Sequence, residues 1–254
     1  MTQTHAQGVK TEQLPAPQLV LLHLLPGVLV VTFDVMAAPV VKAMGLPPHF
    51  TIIVGNAVIL VGFEAGYLLR QGKRAGGRLS LRGAILYREP IPWWQYIVLI
   101  VSLLAWAFGA LSLLLPVGTG LRESLLSWMP AVFLAADAPP DATLYSHSAL
   151  VVTAVFLFIF TGIVVPVVEE LYYRGHLMAR MSRWGWWAPV VSVGLWSLNH
   201  LWQPWQIPSF IVTFLPIVSV VQWKRNAYIS LAVHTIGNVL NTFVLVGVLL
   251  GLVP

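Results

Sequence analysis

The chain has 254 residues, of which 58% are hydrophobic and 9% charged, with no cysteine and a formal net charge of +5. Soluble domains carry about a quarter charged residues, so most of this chain meets lipid, and the missing cysteines exclude disulfides, thiolate nucleophiles and Cys-based zinc or iron–sulfur sites. Nucleic acid is not the expected partner, because the cations sit between long apolar runs and not along a polar groove.

Residues 1–18 are polar, with Lys10 and Glu12 nearly cancelling. They lack the basic start of a secretory signal, so a cytoplasmic tail and no cleaved leader are expected. A bilayer core of about 30 Å needs about 20 apolar residues as helix. Seven candidate spans meet or approach that length, at roughly 19–41, 50–70, 95–116, 148–180, 186–203, 208–223 and 227–252. The fifth and sixth are short and joined across Pro204 and Pro208, so they also read as one broken hairpin. Trp93 and Trp94 after Pro90 and Pro92, and Trp184, Trp186 and Trp187, mark interfacial helix ends.

The expected architecture is therefore an all-α polytopic membrane protein of about seven transmembrane helices in one domain. Helices one to three and an outer loop occupy 19–147, and a four-helix core occupies 148–254. With the amino terminus inside, every Lys and Arg except Lys42 and Arg122 falls on the inner side, while the outer loop near 117–147 carries Glu123, Asp137 and Asp141. This distribution obeys the positive-inside rule. It predicts a cytoplasmic amino terminus and an external carboxyl terminus, in the plasma membrane if the chain is bacterial.

Acidic groups inside a membrane helix cost about 2.5–3.5 kcal/mol each even on lenient scales, so the adjacent Glu169 and Glu170 demand a role. Arg174 lies one turn after Glu170 on the same helix face and can pair with it. Glu169 points about 100° away and is free to face another polar group. Glu169 lies as far before the turn at 182–185 as His200 lies after it, so antiparallel helices bring them level. His234 and Asn238, one turn apart, enter from the Lys224–Arg225 loop on that same side. Water held between Glu169 and His200 could attack a carbonyl, with His234 and Asn238 donating to the oxyanion. That route needs no cofactor. The same chemistry could instead use a divalent metal such as zinc held by Glu169, His200 and His234, although no H-E-x-x-H spacing requires it. Ser197 and Ser230 have no evident His–Asp set for a serine route.

In these residues the chain resembles the CPBP intramembrane proteases, the CAAX-prenyl protease and bacteriocin-processing (Abi) family. The resemblance lies in Glu169-Glu170-x-x-x-Arg174-Gly175, Trp196-x-x-x-His200 and His234-x-x-x-Asn238, over roughly 161–241. It implies an intramembrane endopeptidase in which Glu169 and His200 activate water and His234 and Asn238 stabilise the oxyanion; Glu170 and Arg174, paired along one helix face, are expected to support them. The second motif commonly begins with Phe where this chain has Trp196. The implied partner is a membrane-associated protein or peptide, lipidated or not, within the lipid bilayer.

Blander readings accompany each feature. Glu170–Arg174 alone is a structural ion pair, and His234 and Asn238 could be interhelical glue. Asp34 and Glu64 could form an ion or proton path, which makes a transporter or channel using them with the Glu169 cluster the chief rival. A non-catalytic scaffold or immunity protein on the same fold is the second. His23, His49, His147 and His176 are expected to be interfacial or packing residues, and Gly55, Gly62 and Gly66 close-packing contacts. Arg70 to Arg88 reads first as a topology signal and second as a contact for anionic lipid or a substrate tail.

Overall fold

The computed structural model describes residues 12–134 and 141–252, and helices dominate them. Lys10 and Asp137 lie outside the described residues. Six helices are long and apolar enough to cross a bilayer: α1 (Ala16–Ala43), α2 (Pro48–Gly76), α3 (Trp93–Ser124), α4 (His147–Trp184), α6 (Pro204–Lys224) and α7 (Tyr228–Leu249). The protein is an all-α polytopic membrane protein.

Where a fifth span is expected over 186–203, helix α5 covers only Trp187–Asn199. Its 13 residues rise about 20 Å, short of the roughly 30 Å core. The chain turns at 200–203 and returns as α6, so α5 and α6 form the broken hairpin that Pro204 and Pro208 suggested. The Gln222 side chain donates to Gly185 O at 2.6 Å, which places the start of α5 and the end of α6 side by side.

One end of the bundle gathers the cations. Leu14 N donates to Arg180 O at 3.2 Å, Lys224 Nζ to Gln95 Oε1 at 3.0 Å, and Arg225 pairs with Glu89 at 3.2 Å. Lys42 and Arg122 belong to the opposite end, where Arg122 lies over the Trp205 ring at 5.8 Å. Against lipid the helices present large apolar side chains such as Leu113 and Leu115 of α3. Inside, Leu19, Leu22, Leu68, Tyr172, Tyr173, Leu177, Trp196, Ile217, Val221 and Val233 form the main core.

Two prolines shape the helices around this core. Pro26 has no N–H to give Leu22 O, its partner four residues back in α1. That carbonyl instead accepts the Tyr172 hydroxyl at 2.9 Å, and the next one, of His23, accepts the Tyr173 hydroxyl at 3.4 Å. Gly27 N in turn donates to Asn199 Oδ1 at 2.6 Å, and a side chain at Gly27 would overlap Asn199. The break in α1 is thus stitched to α4 and α5, as lipid requires of freed backbone groups. Gly55 is a close contact as expected, pressed on Asp34, but Gly62 and Gly66 are not, since a Cβ at either meets no described atom within 4 Å.

Pro166 acts similarly in α4. The helix is π-wound over Leu157–Val164, with Val165 N reaching Phe160 O five residues back. In that register Thr161 O would be served by residue 166, a proline without an N–H. Its partner is Asn238 Nδ2 of α7, at 3.0 Å. A second π segment, Glu170–Leu177, gives way to a 3₁₀ turn over Met178–Trp184. The change from i+5 to i+3 spacing strands carbonyls near the junction. Gly175 O accepts Leu86 N at 2.8 Å and Tyr87 N at 3.2 Å from the loop after α2.

Candidate active site

Wide π turns place Glu170 and Arg174 on the inward side of α4, both fully buried. Glu170 is shared between two partners. Its Oε2 faces Arg174 Nε at 3.4 Å, and its Oε1 lies 2.9 Å from His234 Nδ1. The expected Glu170–Arg174 pair is present, and the link to α7 through His234 adds to it. Arg174 is held as much by rings as by charge: its guanidinium carbon stands 4.4 Å from the Trp196 ring centre, 5.6 Å from that of Phe214 and 5.7 Å from that of Tyr173. A cation dry enough to lie among three aromatic faces gains from each.

His200 caps the end of α5. Its Nδ1 lies 2.9 Å from Trp196 O, and a carbonyl only accepts, so Nδ1 carries the hydrogen and Nε2 keeps its lone pair. The same logic applies to His234 when Glu170 is ionised, leaving Nε2 as the atom available to a ligand. The two imidazoles keep 7% and 9% exposure. Both stand against Trp196, with ring centres 4.5 Å and 5.9 Å away.

Glu169 is 3% exposed, and its Oε1 has no hydrogen-bond partner. It faces the Trp196 indole N–H and feels the charges of His234, Arg174 and Glu170. Asn238 sits one turn along α7 from His234, with one amide hydrogen committed to Thr161 O. Glu169, His200 and His234 thus surround one indole, while Asn238 joins them through α7. Among the described residues no three His, Asp or Glu side chains are grouped as metal ligands.

Three contributors were not among the expected catalytic residues. Phe210 and Phe214, one turn apart on α6, wall the imidazoles: Phe210 is 4.9 Å from the His200 ring and Phe214 5.0 Å from the His234 ring. Their i, i+4 spacing facing the α5 aromatics was the available signal. The third is Glu64 of α2, fully buried, with neither carboxyl oxygen hydrogen-bonded. It faces the Tyr173 side chain and interacts electrostatically with Glu169, Arg174 and Glu170. Asp34 stands apart, against Gly55, which is nine residues or about 14 Å of helix from Glu64. The two acids expected to share an ion path are therefore divided, and Glu64 joins the Glu169 cluster. His23 and His176 are buried packing residues; His23 stacks on Tyr173 at 5.2 Å, and His176 Nδ1 lies 2.6 Å from Ala84 O.

Residues 151–240 match a family model described as type II CAAX prenyl endopeptidase, Rce1-like. Comparison with curated proteins and with solved structures gave no match. The matched segment runs from α4 to just past Asn238 and contains Glu169, Glu170, Arg174, Trp196, His200 and His234; α1 to α3, with Glu64, lie outside it. Residues 151–240 are accordingly similar to the Rce1-like endopeptidases, in agreement with the CPBP resemblance of the three motifs, within a multi-pass membrane protein.

Proposed function

We propose that the chain is an endopeptidase that hydrolyses a peptide bond of a membrane-associated protein or peptide, with water activated by Glu169 and His200. The observation that carries this reading is the pair of groups beside Trp196: His200 with Nδ1 committed to Trp196 O, which leaves Nε2 for a ligand, and Glu169 with a buried oxygen that has no hydrogen-bond partner. Glu169 takes a proton from the water as its oxygen bonds to the carbonyl carbon. His200 Nε2 accepts the other hydrogen and aims the attack. The carbonyl pair moves onto its oxygen, which His234 and the second amide hydrogen of Asn238 face. Because His234 Nδ1 is committed to Glu170, its Nε2 donates only as imidazolium, with Glu170 as counter-charge. Glu169 then returns its proton to the leaving nitrogen as the C–N bond breaks.

In this reading α4 to α7 are the catalytic core, the basic end faces the cytoplasm, and α1 and α2 both wall the site and supply polar contacts to it. No step uses a cofactor. Glu169, His200 and His234 are not grouped as ligands here, so a divalent ion would have to draw them together, and chelation followed by metal analysis and re-addition tests that requirement. The decisive experiment compares peptides released from membranes holding the wild-type chain and the Glu169→Gln and His200→Ala variants. Peptides that disappear in both variants, with insertion and thermal unfolding unchanged, support the proposal. Identical peptides from wild type and folded variants refute it, and full biological activity from Glu169→Gln would favour a scaffold.

A further inference from the structure

The end of α2 together with the loop to α3 holds a charge excess that the proposed chemistry does not use. Over 70–88 it carries Arg70, Lys73, Arg74, Arg78, Arg82 and Arg88 and no acidic residue. All six are exposed, and none is ion-paired among the described residues; the adjoining Glu89 is taken by Arg225. A topology signal needs only charge and no fold, yet this loop is folded. Gly77 and Gly83 turn it with φ of 72° and 78°, and Ser80 O packs so closely on Gly72 that a Cβ there would overlap it. The turn holds Leu79 and Leu81 outward at 69% and 40% exposure, between Arg78 and Arg82.

We propose that residues 70–88 bind anionic phospholipid headgroups. The arginines meet the phosphates, and Leu79 and Leu81 enter the acyl boundary. Cations flanking outward apolar side chains fit a lipid surface and not a free anion, which would gain nothing from the leucines. The position agrees: the segment runs from the last two turns of α2, which ends at Gly76, to Trp93 and Trp94, indoles 74% and 53% exposed at the start of α3. Its far end is clamped to the site helix by Leu86 N and Tyr87 N on Gly175 O and by His176 on Ala84 O. Headgroup binding therefore steadies the brace next to Arg174.

The test uses the full chain in nanodiscs of phosphatidylcholine alone or mixed with phosphatidylglycerol, with hydrogen exchange read on peptides covering 77–88. This readout does not depend on cleavage, so its failure is distinct from failure of the protease reading. Phosphatidylglycerol should slow exchange about tenfold, and salt near 1 M should remove most of the effect. Arg78→Gln with Arg82→Gln should abolish the difference between lipids, and Leu79→Ser with Leu81→Ser should weaken it. Equal exchange of the wild-type chain in both lipids overturns the proposal. So does equal protection by soluble glycerol phosphate, which would mark a free-anion site, or by an acidic peptide, which would mark a substrate contact.

Discussion

Replacing Tyr172 with Phe removes one oxygen, and the structure predicts that its cost depends on a proline in another helix, Pro26. The hydroxyl donates to Leu22 O at 2.9 Å, with Tyr172 fully buried. That carbonyl is open only because residue 26 is proline. Losing the donor strands a buried acceptor, which costs about 1–3 kcal/mol in general, while interhelical bonds in membrane proteins average about 0.6 and reach about 1.7 kcal/mol. Tyr172→Phe should therefore destabilise by about 1–2 kcal/mol. In a Pro26→Ala background, the backbone N–H gained at position 26 can serve Leu22 O, and the same change should cost less than about 0.5 kcal/mol. Pro26→Ala alone will also disturb the Gly27–Asn199 bond, but that term cancels in the double-mutant cycle. Unfolding by SDS titration in mixed micelles gives the four free energies. An equal cost of Tyr172→Phe in both backgrounds would refute the link between the proline and the hydroxyl.

Three further outcomes follow from the site. Arg174→Met leaves Glu170 with His234 alone in a dry core, and should cost about 3–5 kcal/mol, seen as a fall of roughly 6–20 °C in Tm; an unchanged Tm would contradict its supporting role. Gly175→Ala puts a Cβ 3.1 Å from Ile85 and should loosen the brace loop, read as faster proteolysis between 77 and 88 at nearly constant Tm. Equal proteolysis of the variant and the wild type would show that Ile85 simply moves aside. Glu64→Gln should change the rate of any cleavage about tenfold or more, while Asp34→Asn leaves it within about twofold, since only Glu64 shares the electrostatics of Glu169. Solute flux in proteoliposomes that depends equally on both acids would favour transport instead.

Residues close along one helix were legible before any fold was known. The Glu170–Arg174 pair follows from i, i+4 spacing, and the levelling of Glu169 with His200 from counting residues about a turn. The roles within the cluster were harder to read. His234 and Glu170 are 64 residues apart, and either could have faced elsewhere; their contact makes Glu170 a link between α4 and α7 as well as a counter-ion. Glu64 was grouped with Asp34 because both are lone acids in early spans. Helix rotation and packing decided which of them would meet the site, and neither is written in hydropathy. The fifth span failed on length, because an apolar run does not show where His200 ends its helix.

By itself, the sequence determined the lipid solvent, the long helices apart from the shortened fifth, and the gathering of cations at one end, because these depend on composition and local spacing. Pro26 and Pro166, lacking an N–H, each leave one helical carbonyl without its usual partner. Only the tertiary structure decided what fills each break: Tyr172 for Leu22, Asn199 for Gly27, Asn238 for Thr161, and a loop from α2 for Gly175. The physical reason is that lipid offers no hydrogen bonds. Each broken turn must find its partner on another helix, and which helix lies alongside is a property of packing.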